Sequence, residues 1–171
     1  GLTLETRVIA APQHAHVPVG TREWGVFLPL YSLCSSRGQG IGDFADLRAL
    51  SDWVSSLGGG FVSTLPLLAA FLDAPFDPSP YSPASRLFWN ELFVDLRSVP
   101  GWSDAGGAPE CRDGDLVDYQ RIAAFKRREM ERALHGSARD ADVQEALRQF
   151  RAAHPRVEDY ARFRAVCDRR R

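Results

Sequence analysis

Gly25-Val26-Phe27-Leu28-Pro29-Leu30, then a loop to Gly42, then Asp43-Phe44-Ala45-Asp46-Leu47, then Phe61-Val62-Ser63-Thr64-Leu65: this run decides the fold. The first and last pieces are short, nearly unbroken apolar runs, the pattern of strands buried on both faces. Between them Asp43 stands where a helix N-cap is wanted, and Phe44, Leu47, Leu50, Val54 and Leu57 recur at helical spacing. The reading is a helix over 44–57 stopped by Gly58-Gly59-Gly60. Strand, helix and strand with short connections make a βαβ unit with parallel strands and a right-handed crossover.

Outward from this unit the character changes twice. Proline recurs at Pro66, Pro75, Pro78, Pro80 and Pro83. A long, proline-rich loop at the carboxyl end of a strand is where α/β folds place ligand sites. Residues 90–96 then read as a third strand. Residues 101–114 are a Gly-, Asp- and Pro-containing linker, and three helical patterns follow at about 116–134, 138–153 and 156–169. Toward the N-terminus, residues 1–22 have no clean period, and Pro12 and Pro18 interrupt them. The expected organisation is a lead-in over 1–22, the first βαβ units over 23–100 and a helical subdomain over 101–171. Three strands make a poor parallel sheet, which needs cover on both faces, and a closed eight-stranded barrel takes about 250 residues. The expectation is therefore a piece of a larger α/β fold, with a small, unusual α+β domain as the alternative.

Composition excludes several classes. The 171 residues are 44% hydrophobic and 25% charged, with a net charge of −1. Charge runs from −3 over residues 1–100 to +2 over 101–171, too weak an asymmetry for a nucleic-acid or anionic-membrane partner. No apolar run reaches the roughly 18–20 residues of a membrane span, and no signal peptide is visible. Cys34, Cys111 and Cys167 lie far apart with no metal-ligand spacing. Reduced thiols in a cytoplasmic protein are expected of them, and no metal site. Lys126 is the sole lysine among many arginines, which reads as coding bias. The arginine-rich stretches 121–132 and 162–171 read as solvated helix faces.

Candidate chemistry is sparse. Gly38-Gln39-Gly40-Ile41-Gly42 sits between strand and helix, yet a dinucleotide fingerprint needs G-x-G-x-x-G and the third glycine falls one residue early. A nucleotide-binding α/β domain is thus a distant alternative. Asp73, Asp77 and Glu91 lie near the long loop, but no spacing pairs them for acid/base or metal chemistry, and surface or capping roles are expected. Tyr81, in Ser79-Pro80-Tyr81-Ser82-Pro83, is held between two prolines. Such a ring offers a flat apolar face and a polar tip, suited to covering a sugar or to packing its own loop. Phe88, Trp89 and Phe93 suit the lining of a groove but, flanking a buried strand, are expected in the core, and His14, His16, His135 and His154 show no partner arrangement.

Five pieces in series resemble the 4-α-glucanotransferases (amylomaltases, disproportionating enzymes): residues 25–33, Gly40-Ile41-Gly42-Asp43, Leu65-Pro66-Leu67, Ser79-Pro80-Tyr81-Ser82 and residues 90–96. The resemblance implies the first part of an α-amylase-like (β/α)8 TIM barrel, about three parallel strands, followed by an inserted helical subdomain. It implies transfer of α-1,4-glucan segments between maltooligosaccharides through a covalent glycosyl intermediate, with no cofactor. The family's catalytic carboxylates match no residue here, so no catalytic residue is assigned. Tyr81 matches the tyrosine that stacks on the sugar beside the cleaved bond, and Ser82 and Asn90 match neighbouring rim or support positions. Asp43 matches a turn acid with a capping role. The implied partners are an α-1,4-glucan and the remainder of the polypeptide. Glu91 stands where many members have proline, and the loop 69–77 is not the usual glycine-rich one. A non-catalytic glucan-binding module built from the same units is the nearer alternative.

Overall fold

A computed structural model describes residues 10, 20, 22–72, 77, 79–110 and 116–169. Expectations for the lead-in, Asp73, His14, His16 and Cys111 lie outside them, apart from the lead-in's Ala10, Gly20 and Arg22. Strand β1 (Gly25–Phe27) pairs in parallel with β2 (Phe61–Ser63), in register Gly25↔Phe61, Val26↔Val62 and Phe27↔Ser63. Gly25 is required there, because a Cβ would stand 2.3 Å from the Phe61 carbonyl oxygen. Helix α1 (Phe44–Ser56) crosses between them, so the βαβ unit is present.

The start of α1 is set by a capping box. The Asp43 carboxylate accepts from the Ala45 and Asp46 amides, and Asp46 accepts from the Asp43 amide. Two carboxylates thus satisfy donors that a helix N-terminus otherwise leaves free. Helices α2 (Tyr119–Ser137), α3 (Ala141–Ala153) and α4 (Arg156–Arg169) fall near the expected spans. Helix α2 starts three residues later than its apolar pattern suggests, because Asp118 caps it through the Arg121 amide and leaves Leu116 in solvent.

The third strand is not formed. Residues 90–98 make two short 3-10 turns, Glu91–Phe93 and Leu96–Ser98. Asn90 accepts from the Leu92 amide and Asp95 from the Arg97 amide. Side-chain acceptors two residues upstream offer the backbone an alternative to a strand ladder. The buried residues, Leu92, Phe93 and Leu96, have the spacing of a helical turn rather than strict alternation. Among the described residues the sheet therefore has two strands.

The strands are not buried on both faces within this chain. Phe27 is 61% exposed, and Phe61, Trp24, Trp53 and Leu57 are exposed as well. The core lies instead beyond the carboxyl ends of the strands, where Leu30, Ile41, Leu67, Leu72, Leu92, Phe93 and Ile122 form one cluster. Helix α2 contributes Ile122 to it and packs on both 3-10 turns. The stripe Ile122, Lys126, Glu129 and Ala133 is buried, so the 121–132 face is not wholly solvated. Cys34 is disulfide-bonded, which corrects the expectation of three reduced thiols; Cys167 is free. Sequence separation was a poor guide because a disulfide depends on spatial approach alone. No helix among the described residues is long and apolar enough to cross a membrane.

Candidate glucan-binding site

The long loop that leaves β2 is built on two segments lying antiparallel. The Ala69 amide donates to the Phe88 carbonyl at 2.9 Å, and the Ala84 amide donates to the Ala69 carbonyl at 2.8 Å. The Asn90 amide donates to Leu67 at 2.9 Å, and Leu68 and Trp89 form an isolated bridge. The described residues of the loop, 70–72, 77 and 79–84, hang from this pair. Near its tip Asp77 accepts from the Ser79 amide (2.9 Å), Ser79 Oγ accepts from the Tyr81 amide (3.3 Å), and the Ser79 carbonyl accepts from the Ser82 amide (3.3 Å). These bonds hold a tight turn that leaves Tyr81 69% exposed and Ser82 exposed beside it.

A cleft of about 40 Å3 opens between the loop base and the core, with Leu30, Tyr31, Leu67, Ser79, Pro80 and Asn90 among its lining residues. That volume admits roughly two or three waters, not a sugar ring. Tyr81 and Ser82 stand outside it, on the outer surface of the turn. Asn90 is buried, its side-chain oxygen engaged by the Leu92 amide, so it builds the wall and holds the turn beneath. The three candidates therefore belong to one loop system but divide into two exposed residues and one support.

Of the aromatic candidates, Phe93 is in the core. Phe88 is half-buried and stacks on Tyr160 of α4, centroids 4.1 Å apart at 12°. Trp89 is 67% exposed, edge-on to Phe44 at 6.1 Å, against the expectation that it would be buried. His135 Nδ1 lies 2.7 Å from the Glu131 carbonyl, and His154 packs on Phe150.

The described carboxylates near the loop, Asp77 and Glu91, are engaged by other groups. Asp77 caps the turn, and Glu91 pairs with Arg164 from α4. Asp43 is buried, and loss of water raises its pKa above the ordinary carboxylate value. Beside it lies Lys126, 1% exposed, whose Nζ donates to the Val94 carbonyl at 2.7 Å. Burial lowers the Lys126 pKa to about 8, while Asp43, Asp95 and Asp46 push it back up. No group of three or more His, Cys, Asp or Glu among the described residues is arranged to hold a metal ion.

Two residues were missed by the sequence reading. Lys126 sits on the buried stripe of α2, four residues from Ile122 and seven from Ala133, a spacing that was available as a signal. Arg164 touches residues 73 and 94 positions away, for which no local signal exists.

The glycine-rich loop has no room for a phosphate. Residues 39–43 are buried. Gly40 adopts φ +84°, and a Cβ there would meet Pro109 at 2.8 Å and Ile122 at 3.2 Å. Its glycines serve close packing under α2, which removes the basis of the nucleotide alternative.

Comparison with known proteins agrees with the loop motifs. A family model described as 4-alpha-glucanotransferase matches residues 28–171. A 4-alpha-glucanotransferase of Mycobacterium tuberculosis is 32% identical over 183 positions, covering 94% of this chain and 25% of the relative. One from Haemophilus influenzae is 34% identical over 136 positions, covering 70% and 20%. The crystal structure of amylomaltase from Corynebacterium glutamicum is 28% identical, covering 64% of this chain and 14% of that one, with a TM-score of 0.44. The chain belongs to the 4-alpha-glucanotransferase family. It spans about a quarter of the length of the first of these relatives.

Proposed function

We propose that this chain is the first part of a cytoplasmic 4-α-glucanotransferase that moves α-1,4-glucan segments between maltooligosaccharides. Family membership supports the activity. The observation that carries the site is Tyr81, exposed at the tip of a braced loop leaving the carboxyl end of β2, the end at which α/β barrels assemble their sites. Its ring covers a sugar face, with Ser82 beside it and Asn90 supporting the wall.

Retaining transfer needs two carboxylates about 5–5.5 Å apart, one as nucleophile and one as acid/base. Among the described residues, Asp43 and Asp77 serve as caps and Glu91 is held in an ion pair. The catalytic pair comes from other parts of the polypeptide, and the chemistry uses no metal or organic cofactor. The exposed apolar face around Phe27 and Phe61 is where further strands of a (β/α)8 barrel pack, and the helices beyond residue 115 form an inserted subdomain. An exposed apolar patch of this kind marks an interaction surface.

The test is maltotriose disproportionation by the polypeptide as its cells make it. Glucose and longer maltooligosaccharides should appear, and Tyr81→Ala should raise KM. Absence of transfer with retained maltooligosaccharide binding would leave a glucan-binding module instead.

A further inference from the structure

Helix α4 closes on the loop from the far end of the chain. Arg164 Nη1 donates to the Ala70 carbonyl at 2.9 Å, and Nη2 pairs with the Glu91 carboxylate. Ala70 and Glu91 belong to different segments of the antiparallel base: Ala70 follows Ala69, which accepts from Ala84, and Glu91 follows Asn90, which donates to Leu67. One guanidinium therefore holds both segments, Ala70 on the loop side of the paired stretch and Glu91 at its opposite end. Its side chain is largely buried, so little solvent screening weakens the pair. Aromatic contacts reinforce it: Tyr160 stacks on Phe88, and Phe163 meets Phe71 edge-on at 6.0 Å.

We propose that Arg164 is a positioning residue for glucan binding, fixing the base of the loop so that Tyr81 and Ser82 are presented in one pose. This rests on the reading of the loop as a glucan site. The fork is specific to arginine, since a planar guanidinium reaches a carbonyl and a carboxylate at once, whereas an ammonium is a point donor. A loop that must be ordered on binding loses affinity in proportion to the ordering, so pre-ordering from α4 appears in affinity, not in contacts to sugar.

The experiment titrates maltoheptaose into the polypeptide as its cells make it, comparing wild type with Arg164→Met, Arg164→Lys, Glu91→Gln and Tyr81→Ala. Amide hydrogen exchange is followed in parallel. Arg164→Met should weaken maltoheptaose about tenfold and speed exchange at Ala84 and Asn90 by about tenfold. Exchange at Ala45 and Asp46 should stay unchanged. Arg164→Lys should recover part of the affinity. Glu91→Gln keeps a hydrogen-bond acceptor without the charge; it should give an intermediate loss, and it decides the matter if Arg164→Met does not fold. Faster exchange with unchanged affinity in a wild type that binds would make Arg164 structural only and overturn the proposal, leaving the glucan reading intact. No binding by wild type, or full binding by Tyr81→Ala, would overturn the reading of the loop and the proposal with it.

Discussion

Replacement of Lys126 by methionine should change how stability depends on pH. Lys126 is 1% exposed, its ammonium donates to Val94, and Asp43, Asp46 and Asp95 exert charge on it. Burial lowers its pKa from the ordinary 10.5 to about 8 despite those carboxylates. Between these values the unfolded chain holds a proton that the folded chain has released. Unfolding therefore takes up protons, and stability rises with pH through the window. The displacement corresponds to about 3 kcal/mol when the whole window is crossed. Below about pH 8 both states are protonated and Lys126 adds no pH dependence. Lys126→Met removes the group. Urea unfolding of both proteins, followed by tryptophan fluorescence at intervals from pH 7 to pH 10.5, yields the difference curve. Wild type minus variant should climb by about 3 kcal/mol across the window and be level below it. A difference flat to within about 0.5 kcal/mol would refute the buried-ammonium account, since an exposed or water-filled site gives no linkage.

Three further outcomes are expected. Asp43→Ala removes two capping hydrogen bonds and one half of the capping box, and should lower stability by about 1–2 kcal/mol in chemical melts, without altering glucan affinity. Gly40→Ala meets both a positive φ and Pro109 at 2.8 Å, so it should destabilise by more than about 1 kcal/mol; a neutral thermal melt would contradict the packing of this loop under α2. The 171-residue chain by itself should bind an apolar dye more strongly than a compact monomer of its size, and Phe27→Ser with Phe61→Ser should reduce that fluorescence.

What was legible from sequence is what depends on neighbours in sequence. The apolar period of α1, its Asp43 cap and its glycine stop are local features, so they were read correctly. The same holds for α3 and α4. Residues 90–96 were misread because apolar runs suit both a strand and a buried turn, and the Asn90 and Asp95 acceptors decided the outcome.

Tertiary structure alone decided the rest. Whether Trp89 is covered depends on which elements reach it, not on its own apolar character. Lys126 became a buried ammonium because α2 packs on the turns at 91–98, a placement set by long-range packing. Arg164 braces the Tyr81 loop from 94 positions away because Tyr160 and Phe163 dock α4 on Phe88 and Phe71. Local periodicity specifies each helix and the face it offers; it holds no information on which distant backbone carbonyl that face will meet.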